Sequence, residues 1–112
     1  NKDDTDTLIF DEIDTGISGR TAQKVSEKMA LIARSHQVIC ITHLPQIAAM
    51  ADIHFLIEKN IKDGFTTTSI NRLSDQEIIT ELARMLGGSQ ITDLVMDNAA
   101  QMKEFADNLK KQ

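Results

Sequence analysis

The sequence predicts an α/β fold in which parallel strands are joined by crossover helices and followed by a β-hairpin and two C-terminal helices. Three observations carry this. Residues 7–10 (TLIF) and 37–42 (QVICIT) are short, β-rich apolar runs without alternation, as in strands of a parallel sheet. Between them Ala22, Val25, Met29, Ile32 and Ala33 recur at helical spacing, the crossover that parallel strands require. Further on, residues 65–73 (FTTTSINRL) alternate β-branched and polar side chains, and a capping-box pattern opens at Ser74.

In chain order, the polar opening with Asp3, Asp4 and Asp6 reads as a solvated leader. The first strand, 7–10, is expected to be buried on both faces. A helix over roughly 19–35 follows, with Ser18 or Thr21 as its cap, and His36 falls in an exposed turn before the second strand, 37–42. Pro45 suits the first turn of a short helix reaching Ala51. Residues 53–59 (IHFLIEK) form the third strand, with His54 inside it. Residues 60–64 form a turn, and 65–73 complete an antiparallel hairpin. Ser74-Asp75-Gln76-Glu77 starts a helix that runs to about Leu86 and stops at Gly87-Gly88. A last helix spans roughly 91–109.

Composition narrows the function. The 112 residues hold four Phe, no Trp and no Tyr, so the core is built from Ile, Leu, Val, Ala and Met, with Met29, Met85, Met96 and Met102 as fillers on helix faces. A net charge of −5 argues against non-specific nucleic-acid binding by this stretch. Lys103, Lys110 and Lys111 read as a solvated helix face. The single cysteine, Cys40, lies inside an apolar strand and fits a reducing cytoplasm. No apolar stretch approaches the roughly 18 residues of a membrane span, and there is no signal-peptide pattern. The first residue is Asn1, not Met, which reads as a segment of something longer.

The chemistry lies where apolar strands end in polar residues. Asp11 and Glu12 directly follow the first run. A carboxylate at the C-terminal edge of a parallel strand faces the crevice in which open α/β sheets bind ligands. There Asp11 can hold a hydrated Mg²⁺, and Glu12 can accept the proton of a water attacking a γ-phosphate. On its own the Asp-Glu pair is a weak signal and reads as a solvated strand end. About thirty residues later His43 follows the second run in the same way, and a neutral imidazole there can hydrogen-bond a phosphate oxygen or position the water. Asp11, Glu12 and Asp14 also permit a second reading, a Mg²⁺-dependent phosphohydrolase or nuclease without a phosphate loop. A third is a non-catalytic interaction module.

TLIFDEIDTGISG followed by ICITHLPQIAAMAD closely resembles the Walker B, D-loop and H-loop stretch of the RecN family, in the SMC-like branch of the ABC ATPases. The later ITELARMLGG fits the C-terminal end of that family, so the resemblance runs from Thr7 to about Leu109. It implies that residues 1–112 are the C-terminal part of a P-loop NTPase head of ABC type. It implies further that Asp11 is the Mg²⁺-linked Walker B aspartate, Glu12 the general base and His43 the switch histidine. Residues 14–19 would be the D-loop, with Asp11, Asp14, Gly16 and Ser18 on the nucleotide side. Many ABC proteins end this loop in Leu-Asp; Ile17-Ser18 stand here, so a carboxylate acting on the partner head does not carry over. The resemblance also implies ATP and Mg²⁺ as cofactors, a second head as homodimer partner, and DNA contacted through parts absent from this segment. The setting would be cytoplasmic, at the bacterial nucleoid, with no membrane partner. No G-x-x-x-x-G-K-[ST] and no Ser-Gly-Gly signature occurs in the chain, so the Walker A and signature motifs would lie elsewhere.

Overall fold

The computed structural model describes residues 6–11 and 19–111. Its order is β1 (Thr7–Asp11), α1 (Gly19–Ile32), β2 (Gln37–Ile41), α2 (Pro45–Ala49), β3 (Phe55–Lys62), β4 (Phe65–Arg72), α3 (Asp75–Gly87) and α4 (Asp93–Lys110). The α/β architecture is the expected one. β1 and β2 pair in parallel, Leu8 opposite Val38 and Phe10 opposite Cys40. β3 and β4 form a separate antiparallel pair.

Burial of the strands departs from expectation. Phe10, Val38 and Cys40 pack with Ala22 and Met29 of α1 and Ile47 of α2, but the other face of the sheet is open. Ile9, Ile39 and Ile41 remain 68%, 45% and 43% exposed. Helices from the described residues cover one face only, so apolar residues suited to a two-sided parallel strand have nothing to meet on the other. Helix α1 ends three residues earlier than expected because its last turn tightens, with Arg34 N–H donating to Leu31 O at 3.2 Å and Ser35 N–H to Ile32 O at 3.1 Å. His36 is half-buried there, its Nδ1 2.8 Å from Ser35 Oγ.

The hairpin is longer and its turn tighter than the sequence reading. Pairing continues to Lys62 opposite Phe65, leaving only Asp63 and Gly64 between the strands. Both have positive φ, 52° and 79°, as a two-residue turn matching the strand twist requires. Strand β3 begins after His54, at Phe55. One hairpin face, with Phe55, Ile57, Ile61 and Ile70, is exposed.

Helix α3 starts as anticipated. Glu77 N–H donates to Ser74 Oγ at 3.3 Å, and Glu77 Oε1 accepts from Ser74 N–H at 2.8 Å. The backbone hydrogen bond from Ser74, then its side chain, holds the Glu77 carboxyl below its usual range. Gly88, at φ 66°, closes the helix. Thr92 caps α4 by accepting from Val95 N–H at 3.2 Å.

Two apolar clusters make the core, and α2 belongs to both. Ile47 sits in the cluster under the parallel pair. Ala48, Ala49 and Met50 join Ile78, Leu82 and Ala83 of α3 and Ala99 and Ala106 of α4 in the other. Met29 is buried, and Met85, Met96 and Met102 are partly buried against these clusters, as expected of core fillers. The terminal lysines are not a solvated face. Lys111 is exposed, but the Lys103 and Lys110 side chains keep only 17% and 19% of their accessible surface. Among the described residues no helix is long and apolar enough to cross a membrane.

Candidate functional site

The register of the parallel pair fixes the site. Asp11 is the last residue of β1 and lies opposite Ile41, the last residue of β2. The two strands run in the same direction and stop together, so Asp11 and the Thr42-His43-Leu44 segment share one carboxyl rim. That rim is where open α/β sheets receive ligands. Asp11 and His43 are both exposed. Two of the sequence-predicted site residues are thus brought to one edge. Glu12, Asp14, Gly16 and Ser18 lie outside the described residues.

His43 is held from its C-terminal side. Thr42 Oγ1 accepts from Leu44 N–H at 3.0 Å, bending the chain out of β2, and Pro45 then opens α2 with the fixed φ of a first helical position. Gly19, the first residue of α1, approaches the same helix. A Cβ at position 19 would stand 3.1 Å from Gln46 Nε2, closer than most side chains allow. Gln46 therefore sits where the segment after Asp11 rejoins described structure. Its Oε1 is buried and finds no hydrogen-bond partner among the described residues. Sequence reasoning did not single out Gln46 as a site residue, although it stands three positions after His43 in the LPQIAA stretch.

Among the described residues no three His, Cys, Asp or Glu side chains gather as a metal site. An exposed single carboxylate on a strand end suits a Mg²⁺ that keeps most of its waters, so Asp11 fits that ion in donor type. Gly87-Gly88-Ser89 ends a helix and does not follow a strand, which excludes it as a phosphate loop. His54 lies outside the rim. It is half-buried beside Glu81 and Lys103, and burial pushes its pKa below the usual imidazole value. The Glu81 carboxylate opposes that shift and the Lys103 ammonium reinforces it.

The parallel pair with this rim, the antiparallel hairpin and the two helices form a mixed α/β fold that recurs in a solved structure. A solved SMC ATPase structure, from work on ATP-driven dimerisation and DNA-stimulated activation, matches 78% of this chain and 52% of its own with a TM-score of 0.60 at 21% identity. Sequence relatives narrow the class. The chain is 48% identical over 110 residues to the DNA repair protein RecN of Bacillus subtilis, 98% of this chain and 19% of that protein. It is 46% identical over 101 residues to RecN of Vibrio cholerae, 90% of this chain and 18% of that protein. Against RecN of Mycobacterium tuberculosis the identity is 41% over 102 residues, 91% of this chain and 17% of that protein. Over the segment it spans, the chain is similar to these RecN proteins. It spans about a fifth of the length of these curated relatives. No protein-family model matches it.

Proposed function

We propose that this chain is the C-terminal portion of an ABC-type, SMC-like ATPase head, and supplies the Mg²⁺-binding and water-activating half of its site. Asp11 would hold the hydrated Mg²⁺ that accompanies ATP, and Glu12, next in sequence, would accept the proton of the attacking water. His43 would hydrogen-bond the γ-phosphate side from the other strand end. Asp14, Gly16 and Ser18 would face the nucleotide from the D-loop. The observation that carries this reading is the register, which ends β1 and β2 together and sets Asp11 and His43 on one rim.

In the intact protein the phosphate loop comes from elsewhere in the head, and a second head completes the dimer around ATP. The process served is repair and recombination at DNA double-strand breaks in the bacterial cytoplasm, at the nucleoid. DNA is gripped by other parts, in keeping with the net charge of −5 here. In that protein Glu12→Gln retains ATP binding and slows hydrolysis by about 10²- to 10⁴-fold, since the amide keeps the shape and cannot take the proton. ATP turnover at the wild-type rate in Glu12→Gln refutes the assignment. Mg²⁺-dependent phosphohydrolase or nuclease activity in the isolated chain would favour an enzyme without a phosphate loop.

A further inference from the structure

We propose that Lys103 and Lys110 of α4 are positioning residues for His43, acting through α2; this rests on the reading of His43 given above. Helix α2 has five residues, too few to be stable alone, so its place is set by what holds its two ends. At its start stand His43 and Leu44, with no side-chain cap hydrogen bond from Leu44. At its far end Ile47 O and Ala48 O accept from Met50 N–H and Ala51 N–H, both at 3.1 Å, and the Ala49 and Ala51 carbonyls beyond them turn to α4. Lys103 Nζ donates to Ala49 O at 3.4 Å and to Ala51 O at 3.2 Å, and Lys110 Nζ donates to Ala51 O at 3.3 Å.

These contacts form a built clamp. Lys103 Nζ is fixed by Asp107 Oδ1 at 2.9 Å, giving its three protons three acceptors in a largely buried place. Lys110 Nζ is fixed by Asp52 Oδ1 at 2.9 Å, just beyond the carbonyl it grips. Burial raises the Asp107 pKa, but the Lys103 and Lys110 ammonium groups together outweigh it and hold the carboxyl below its usual range.

The apolar cluster holds Ala48 and Ala49 of α2 with Ala99 and Ala106 of α4, together with Met50, Ile78, Leu82 and Ala83. The short alanine side chains interlock little, so directional hydrogen bonds from two lysines to defined carbonyls add register to this packing. Five residues of helix span only about 7.5 Å, so the anchored end at residues 49–51 and the segment carrying His43 are close along the chain.

The test is a double-mutant cycle on ATP hydrolysis by the intact protein. Lys103→Met with Lys110→Met keeps the apolar stems and removes the donors. The expected result is a fall in kcat of about 10-fold with KM for ATP unchanged, as for a displaced catalytic group. In a His43→Ala background the same pair should lower kcat no further, because the tether then has nothing to position. Lys103→Arg with Lys110→Arg should restore most of the rate. Lys110→Met alone, which leaves all three Lys103 bonds, carries the same comparison if the double variant does not fold. If His43→Ala slows hydrolysis while the methionine variants slow it equally in both backgrounds, or not at all, the tether is refuted. If His43→Ala hydrolyses ATP at the wild-type rate, the role of His43 fails first and the tether loses its object.

Discussion

Leu82→Ala should remove most of the order in the helical layer. Leu82 is fully buried on α3, and its cluster joins α2, α3 and α4. Truncation deletes three carbons, a transfer loss of about 2.4 kcal/mol at roughly 0.8 kcal/mol each. The cavity left behind adds about 1–2 kcal/mol, because alanines at 48, 49, 83, 99 and 106 have no side-chain length with which to refill it. The total, about 4 kcal/mol, is a large share of the 5–15 kcal/mol typical of a folded domain. Urea denaturation followed by circular dichroism measures it, with Leu86→Ala as control, since Leu86 is 39% exposed and leaves little cavity. A loss below about 1 kcal/mol for Leu82→Ala, or one equal to that of Leu86→Ala, would refute the reasoning.

His54 predicts a pH effect. Its pKa is lowered in the fold, chiefly by burial, so below about pH 6.5 the unfolded chain binds a proton that the folded chain refuses. Stability should therefore fall as pH drops from about 6.5 to the lowered value, and His54→Gln should flatten that part of the curve; an unchanged slope in a pH series of urea midpoints would count against it. The isolated chain should also self-associate, because Ile9, Ile39 and Ile41 on the sheet and Phe55, Ile57 and Ile70 on the hairpin are exposed. Light scattering over a concentration series should exceed the 12.5 kDa monomer mass, and a constant monomer mass would refute this.

Much of the fold was legible because local chemistry and global fold agree. The Ser74–Glu77 box, the Gly88 stop and the unalternating TLIF and QVICI runs each specify one local structure, and each is found. The hairpin boundary is less legible: Asp63-Gly64 is a strong two-residue turn signal, but Asn60, itself a turn former, makes the whole 60–64 stretch look turn-like. The open face of the parallel pair was not legible. Apolar strand residues show that a cover is suited to them, but not whether it comes from the same segment. Of the candidate site, Asp11 and His43 were readable because each follows an apolar run directly, where a strand end fixes the direction of what comes next.

The lysine clamp was illegible for a different reason. Lysine is rarely buried, so residue type alone points Lys103 and Lys110 to solvent. What overrides that preference is a set of acceptors more than fifty positions away in sequence, at the end of a helix too short to define itself. No local pattern encodes such a meeting, since the lysines and the carbonyls they reach are more than fifty positions apart and no periodicity links them. The consequence bears on the site. The segment carrying His43 gains its start from Thr42 and Pro45, which are local and readable, and its far anchorage from α4, which is neither. A helix stabilised mainly by tertiary contacts is also one whose position those contacts can change. The C-terminal helices, polar in their charges and remote in sequence, are therefore coupled to the rim through α2, whose residues belong to both core clusters.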